Sequence, residues 1–598
     1  SARSSEESCA ATDDRLGKAL DCLSKGFRLF TIGDPIKEVV LIAKDRSPPS
    51  EDSGSELDDE MRSTDCGPTP KDAIQLAHHT ADVRRMARSF AKLLPAPWTD
   101  IMDRAANAHD WGKLDPRFQV MLHGGDETSL DPQHPLAKSA AIHNKTRSTD
   151  LPPGWEHAML SMQIAQHTGY SQDDTELHLI ASHHGSARPF AAIIADAEAP
   201  AINLPYLAVD SINKEQCKAR PPAHDLASNV ANRFWQLVRK HGWWGEAYVE
   251  AVFRLADWEA SRNPRVEAHP ENTPPRPQPN GNEAVNSLIE LDGLDGSSPL
   301  GFLAAMGAFR LVSGKMPTAK MGWSWRKGAF RPYFVASTSL DVETLCELLL
   351  SSGRPMDRIL ADSYLQASAD SGPIQKTGKR GWLDKLCFPL ELYQKECMRR
   401  LDERNMEAIA WLPALAGDCK PEWDKDTKQW LARWTRFDFT AANQAFVAML
   451  RGIKAQCTDS ALHRTLFVGP HYTGVGMSMR WDPLDEKRQY AVMDVNPAPQ
   501  AQNALTDIGA NFLAVEALPL FPLIADGNAS QPSFTDARGG LGHFQWPVWQ
   551  SPISLETSCS LFVCKTSPPS DAEPIRHFRS NIVMPAGYFR SFTTGRPT

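Results

Sequence analysis

Apolar residues recur at intervals of three and four positions through the first half of the chain. In the first segment of this kind they are Leu76, Val83, Met86, Ala87 and Phe90. This is the spacing of one face of an α-helix. The same spacing recurs at 101–108, 158–165, 177–182, 224–238 and 247–258. The pattern predicts an all-α domain over 71–265, with inserted loops at 123–154 and 185–222.

A proline-rich polar tract at 263–283 separates this half from the next. Such a composition is typical of a semi-extended linker, which we place at 266–285. Beyond it, segments with strand character alternate with segments of helical spacing. The predicted strands are 329–337 and 488–494, and the predicted helices are 341–350, 389–412, 439–453 and 503–515. The alternation predicts a mixed α+β domain over 286–598, and the chain as a whole is expected to be multidomain.

The first 70 residues have a different composition. A helix is predicted around 16–27 and a strand at 38–42, followed by a run of proline, serine and acidic residues. That run predicts disorder over 46–68. We interpret 1–70 as an N-terminal appendage that is partly flexible.

Length and composition narrow the class of protein only modestly. A chain of 598 residues has room for two or more domains. The net charge of −9 does not indicate a nucleic-acid-binding protein, although a single basic face would be enough to bind nucleic acid. No apolar run is long enough to span a membrane, so we predict a cytoplasmic protein without a membrane partner. The 11 cysteines form no C-x-x-C pair, which argues against zinc ribbons and a disulfide framework.

Histidine and aspartate residues stand on successive predicted helices of the first domain. They are His79, His109, Asp110, His157, His183, His184 and Asp257. Each alone is typical of a helix cap or a solvated side chain. The ordered set, with Gly112 and Lys113 directly after the His-Asp pair, instead predicts a clustered divalent-metal site.

Three motifs in this set resemble those of the HD phosphohydrolase superfamily. They are His109-Asp-x-Gly-Lys-x-x-Pro-x-Phe-Gln119, His183-His-Gly-x-x-Arg-Pro189 and Leu255-Ala-Asp-x-x-Ala-Ser-Arg262. Within the superfamily they are most similar to the HD nuclease domain of the type I CRISPR helicase-nuclease. The stretch Leu76-x-x-His79-x-x-x-Val83 fits the family better than a register that uses His78.

The resemblance implies two metal ions and a role for each residue. One ion would be held by His79, His109, Asp110 and Asp257. The second would be held by Asp110, His157, His183 and His184, so that Asp110 bridges. Lys113 matches the family lysine that assists at the phosphate, and Asp110 and Lys113 are the expected catalytic residues. Histidine-rich ligation favours Mn, Fe, Co or Ni over Mg.

The family substrate is single-stranded DNA, which would be cut by metal-dependent phosphodiester hydrolysis. Arg188 is a candidate phosphate contact. The sequence contains no G-x-x-x-x-G-K-[ST] loop, so the motor that usually accompanies this nuclease is not evident. We therefore expect unwinding to come from elsewhere.

The second half resembles the large subunit of a type I CRISPR effector complex (Cascade) of a minor subtype. The residues that carry this resemblance lie in 293–307, 479–491, 511–522 and 546–552. Residues 293–307 alone also fit a helix N-terminus with small residues for close packing. The resemblance implies contact with the protospacer-adjacent motif (PAM) and with opened DNA. It also implies partners: the CRISPR RNA-containing backbone and repeat-processing subunits.

Basic residues on glycine-rich segments are the expected DNA contacts of this half. They are Lys376, Lys379 and Arg380 in one segment and Arg326 and Lys327 in another. The leading hypothesis is thus a CRISPR interference nuclease that cuts target DNA after R-loop formation. Two alternatives stay open: a nucleotide phosphohydrolase with the same His-Asp core, and a DNA-binding large subunit with a vestigial nuclease.

Overall fold

The computed structural model of the chain forms two compact units, Ser1–Asp58 and Asp59–Thr598. The residues that the structure describes are 27–32, 38–43, 73–92, 94, 97–125, 130–139, 150–204, 211–212, 221–262, 287–337, 340–355, 359, 386, 388–425, 428–440, 444–475, 477–484, 505–524, 531–535, 540–563, 575–584 and 590–598. The predicted linker at 266–285 lies outside them, so the predicted domain boundaries stay predictions.

The described residues of the first unit form an antiparallel strand pair. Strand β1 (Phe27–Ile32) pairs with β2 (Glu38–Ala43), and Ile32 lies opposite Glu38. The strand predicted at 38–42 is therefore confirmed. The predicted helix lies outside the described residues except at Phe27, which begins β1, and the predicted disorder at 46–68 lies wholly outside them.

The described residues of the first part of the second unit include six α-helices. They are α1 (Leu76–Ala91), α2 (Trp98–Ala108), α3 (Pro116–Leu122), α4 (His157–His167), α5 (Asp174–Ser182) and α6 (Val230–Arg262). Two short antiparallel pairs join them: β3 (Ile74–Gln75) with β4 (Leu136–Lys138), and β5 (Ile202–Asn203) with β6 (Ser211–Ile212). The part is mainly helical, and the apolar pattern did not predict these strand pairs.

Small side chains let the first two helices approach closely. Ala87 and Ala91 of α1 and Ala105 and Ala106 of α2 are all fully buried in one apolar core. Alanine leaves room for close backbone packing and is the best helix former. Helix α6 joins the same core through Phe253 and its neighbours. Because of this packing, several helices each have one end in the same buried region.

The second part of the unit mixes helices and strands, as predicted. Its helices are α7 (Pro299–Lys315), α8 (Val342–Gly353), α9 (Leu390–Asp402), α10 (Met406–Leu415), α11 (Phe446–Gln456), α12 (Asp459–His463), α13 (Ile508–Ala517) and α14 (Leu555–Val563). A large apolar core covers the central helix pair, α7 and α13.

Several small sheets surround these helices. The strands are β7 (Ser287–Glu290), β8 (Lys320–Arg326), β9 (Ala329–Ala336), β10 (Ala416–Asp424), β11 (Gln429–Trp434), β12 (Tyr472–Val475), β13 (Leu505–Asp507), β14 (Phe534–Thr535), β15 (His543–Val548), β16 (Arg576–Val583), β17 (Ser591–Phe592) and β18 (Arg596–Pro597). The order β7-β9-β8 forms one sheet, β14 to β18 form another, and β10-β11 and β12-β13 form two-stranded antiparallel pairs. The predicted strand at 488–494 lies outside the described residues.

Polar contacts connect helix α6 to the second part. The indole Nε1 of Trp235 donates to Ser560 Oγ at 3.0 Å. Asn232 Oδ1 accepts from the backbone N–H of Ser554 at 2.7 Å and from Thr557 Oγ1 at 2.8 Å. These atoms lie in buried or partly buried positions, so the hydrogen bonds hold the two parts in a defined register.

Among the described residues, no helix is both long enough and apolar enough to cross a membrane.

Candidate metal centre

Helix ends deliver most of the predicted ligands to one buried place. His79 lies in the first turn of α1, His109 caps the C-terminus of α2, His157 begins α4, and His183 caps the C-terminus of α5. Asp257 projects from the last turns of α6. His184 and Asp110 each follow a capping histidine. Side chains at helix ends can converge without breaking a helix interior, which explains why ligands far apart in sequence meet here.

One oxygen of Asp110 faces two histidines. Oδ2 lies 3.4 Å from Nε2 of His79 and 3.4 Å from Nε2 of His109. Asp257 approaches the same pair, with Oδ1 3.1 Å from His79 Nε2 and 4.0 Å from His109 Nε2. His79, His109 and Asp257 form a buried group with ligand atoms close enough to hold one metal ion.

The other oxygen of Asp110 faces a second group. Oδ1 lies 3.1 Å from Nε2 of His157 and 3.9 Å from Nε2 of His183. His184 Nε2 is 3.1 Å from His157 Nε2. His157, His183 and His184 form another group that could hold a metal ion. The structure therefore brings all seven predicted ligands together, with Asp110 between the two groups.

Hydrogen bonds fix the tautomer of two of these histidines. His109 Nδ1 bonds to the carbonyl of Ala106 and His183 Nδ1 to the carbonyl of Ile180, each at 2.7 Å. A carbonyl only accepts, so each Nδ1 carries the proton and each Nε2 presents a lone pair to the centre.

Unsatisfied buried atoms test whether a metal fits these residues. The Nε2 atoms of His79, His109 and His183 are buried and have no hydrogen-bond partner of good geometry among the described residues. Buried polar atoms are almost always paired, because an unpaired one loses its water without compensation. A divalent cation in each ligand group would satisfy these nitrogens, His79 and His109 in the first group and His183 in the second, so the donor set fits a metal centre.

Electrostatics favour the ligand forms of the carboxylates. Burial alone raises the pKa of Asp110, but the neighbouring His109 imidazole and the Lys113 ammonium outweigh it and hold this pKa well below its ordinary value. Burial likewise opposes ionisation of Asp257, but the close contact with His79 and the charge of Lys138 hold its pKa well below the ordinary value. Both carboxylates are therefore ionised at neutral pH.

Three of the histidines are shifted towards their neutral forms. Burial, together with the nearby His109 and His157, lowers the pKa of His183 to about 3. Burial also lowers the pKa values of His79 and His184. Neutral imidazole and ionised carboxylate are the forms that bind metal, so these three histidines and the two carboxylates are already in their metal-binding forms.

The residues after the His-Asp pair complete the wall of the centre. The backbone N–H of Gly112 donates to Ser161 Oγ at 2.7 Å, and this hydroxyl donates to the His157 carbonyl at 2.9 Å. A Cβ at Gly112 would lie 2.1 Å from that carbonyl oxygen. Glycine at this position therefore permits the close approach that places His157 opposite Asp110.

We expect Gly112→Ala to destabilise the chain and to weaken metal binding, because the added methyl group must push the first turn of α4 away. Overpacking of this kind costs about 1–3 kcal/mol. Urea denaturation and metal analysis of the same preparation would measure both effects. Unchanged stability together with unchanged metal content would contradict this account of the motif glycine.

Lys113 is buried, and its Nζ donates to Asp110 Oδ2 at 2.9 Å. Lys138 was not predicted, yet its amine bonds to Ser261 Oγ, and the same hydroxyl donates to the Asp257 carbonyl at 2.8 Å. Burial lowers the pKa of Lys138. Lys138 lies on β4, inside a segment that the pattern predicted as a loop, and no spacing in the sequence links it to Asp257.

The sequence analysis also did not identify Arg254 and Trp258 of α6 as candidate site residues. The Arg254 guanidinium lies over the Trp258 ring, 4.9 Å from its centroid. A Cβ at Gly185, the residue after His184, would lie 3.4 Å from Arg254 Nη1. The Arg254 cation therefore stands beside Gly185, which directly follows a ligand of the second group in sequence.

The predicted DNA contacts lie elsewhere, and acidic residues engage those that the structure describes. Arg188 pairs with Glu250. Arg326 Nη2 is 3.0 Å from Asp292 Oδ1, and Lys327 Nζ is 2.7 Å from Asp292 Oδ2. These pairs reduce the local positive charge. The other three candidates, Lys376, Lys379 and Arg380, lie outside the described residues.

Neither a protein-family model nor a curated protein matches this chain.

Proposed function

We propose that the helical part of the chain is a two-metal phosphodiesterase that cleaves single-stranded DNA. The observation that carries the proposal is the position of the Asp110 carboxylate, whose two oxygens face two separate groups of buried histidines. Two metal ions that share one ligand require a carboxylate with one oxygen facing each ion. The first ion would be held by His79, His109, Asp110 and Asp257, and the second by Asp110, His157, His183 and His184.

The chemical type of the ligand atoms indicates which metal ions the centre would bind. Five of the seven ligands are imidazoles, which suit Mn, Fe, Co or Ni better than Mg, since Mg prefers oxygen. When bound, the ions would activate a water molecule and stabilise the charge that develops on the phosphate. The protein contributes a buried and electrostatically prepared set of ligands.

The cations beside the centre would act on the substrate. The Lys113 amine, held by Asp110, is placed to neutralise a phosphate oxygen above the bridge. Lys138 adds positive charge beside Asp257, and the Arg254–Trp258 pair offers a face on which a nucleic-acid base could stack.

We further propose that residues 286–598 act as the large subunit of a type I CRISPR effector complex and contact the PAM and the opened DNA. The resemblance of 293–307 and of the later motifs supports this assignment. Cleavage would then follow R-loop formation, and CRISPR RNA-containing subunits would be the partners.

The proposal is tested with the purified full chain and end-labelled single-stranded DNA, duplex DNA, and deoxynucleoside triphosphates. With Mn²⁺ added, we expect cleavage of the single strand and no release of phosphate from the nucleotides. Hydrolysis of nucleotides without strand cleavage would favour the phosphohydrolase alternative. Fewer than one bound metal ion per chain, with no cleavage, would favour the vestigial nuclease.

We expect Lys113→Gln to slow strand cleavage about 10²-fold while the metal content is unchanged, because one positive charge near the transition state is lost but no ligand is removed. Cleavage rates under single-turnover conditions and metal analysis measure the two effects separately. Lys240→Gln, an exposed change on α6, is the matched control and should cut like the parent chain. Loss of metal in the Lys113 variant would show that the lysine only holds Asp110.

A further inference from the structure

A second buried cluster of metal-ligating side chains lies in the helical part, apart from the centre described above. His178 of α5 faces Glu246 and Glu250 of α6, and all three are at least nine-tenths buried. Glu246 and Glu250 are four residues apart and so share one face of the helix. One nitrogen and two carboxylate oxygens of these residues lie close enough together to hold a metal ion. The sequence analysis did not single out this cluster.

Each carboxylate uses one oxygen for an outer contact and turns the other towards His178. Glu250 binds Arg188 through Oε2 and places Oε1 2.7 Å from His178 Nε2. Glu246 binds His241 Nδ1 through Oε2 at 2.7 Å and places Oε1 3.6 Å from the same His178 nitrogen. Outer partners that orient the ligand carboxylates in this way are a regular feature of metal sites.

The unpaired atom in this cluster points to a ligand. His178 Nε2 can carry only one proton, which satisfies Glu250 and leaves Glu246 Oε1 buried without a hydrogen-bond partner among the described residues. A buried, unpaired carboxylate oxygen aimed at an imidazole nitrogen is costly. A cation between the three atoms would satisfy all of them at once.

The distances fit a small divalent ion. Bonds of about 2.0–2.1 Å in a tetrahedral shell place neighbouring ligand atoms roughly 3.3 Å apart. The Glu246 contact is close to this separation, and the 2.7 Å contact of Glu250 needs to widen by only a few tenths of an ångström. One imidazole and two carboxylates suit zinc or a similar transition metal, with water as the fourth ligand.

We propose that His178, Glu246 and Glu250 form a third metal site, of structural type, which binds a zinc-class ion. Glu250 precedes Asp257 by about two turns of α6, or roughly 10 Å, so the third ion would be separate from the other two. It would link α5, whose C-terminus His183 caps, to α6, which carries Asp257. The proposal concerns metal content and stability, and it does not depend on the nuclease activity.

The test compares the metal content of the full chain and two isosteric variants after growth with zinc and gel filtration. Glu246→Gln removes a ligand charge and keeps an oxygen that can accept from His241. Glu176→Gln is the matched control, because Glu176 is also buried in the helical part but is fully paired with Arg104 and Ser171. We expect Glu246→Gln to lose one zinc equivalent per chain and Glu176→Gln to lose none. An unchanged zinc count in Glu246→Gln would overturn the proposal, as would equal losses in both variants.

A second measurement isolates the third site from the candidate metal centre. In a background of Asp110→Ala, His79→Ala and His184→Ala, which removes the bridging ligand and one ligand from each histidine group of the candidate metal centre, added ZnCl₂ should raise the unfolding temperature. The additional change His178→Gln should abolish that shift. A zinc-induced shift that survives His178→Gln would overturn the proposal even if the Glu246 variant does not fold.

Discussion

Asp110→Ala is expected to abolish metal-dependent cleavage of single-stranded DNA, with a loss on the order of 10³-fold or more in rate. The side chain is 1% exposed, and each of its oxygens faces one group of histidines. Removing it deletes a ligand from both proposed ion sites and frees Lys113 from its partner. No other carboxylate among the described residues stands between the two groups.

The measurement combines single-turnover cleavage with metal analysis of the same preparation. Asp103→Ala is the matched control, because Asp103 lies on the helix that ends at His109 but pairs with Arg84 and Arg88 on its outer side. The control should keep both its metal and its activity. Full cleavage by Asp110→Ala with an unchanged metal content would refute the assignment of the bridge.

The positions of the ligands could be predicted because each one marks a helix end or a helix face. The apolar periodicity located α1, α2, α4 and α5, and the histidines stand at their termini. Local spacing therefore contained most of the information about the candidate metal centre. The family resemblance favoured His79 over His78, and the structure places His79 beside Asp110.

Contacts between distant segments could not be predicted in the same way. Lys138 reaches Ser261 across more than a hundred residues. Glu246 and Glu250 have the spacing of a solvated helix face, and only the packing of α5 against α6 buries them beside His178. Neither apolar periodicity nor a local motif indicates which distant residue will lie beside a given side chain. The ion pairs of Arg326 and Lys327 with Asp292 depend on a hairpin register for the same reason.

The boundaries of the elements show a similar limit. The segments 224–238 and 247–258 were predicted as two helices, and the non-helical Gly242 divides α6 into two helical parts, as predicted. The first part begins only at Val230, and the second runs on to Arg262. Gly242 has φ 74°, which glycine adopts without strain. The segment 439–453 was predicted as one helix, but α11 begins only at Phe446. Apolar spacing identifies the buried face of an element and leaves its exact ends to the packing.

Gly307→Ala is expected to cause a large loss of stability in the second part, on the order of 3 kcal/mol. Gly307 lies where α7 crosses α13, and a Cβ there would be 1.8 Å from the carbonyl oxygen of Leu513 and 3.1 Å from the backbone nitrogen of Ala517. Both obstacles are backbone atoms of a fully buried helix, so no side-chain rotation can relieve the clash. The two helices must move apart and open the core around them.

Gly314→Ala provides the comparison, because it lies on the same helix with no heavy atom within 4 Å of the added Cβ. Alanine is a better helix former than glycine, so this variant should gain roughly 0.5–1 kcal/mol. Urea denaturation of both variants measures the difference, and the two changes should have opposite signs. A Gly307 variant as stable as the parent would mean that the two helices do not pack this closely. The close approach of α7 and α13 would then be wrong, and with it the physical basis for a glycine in the 293–307 motif.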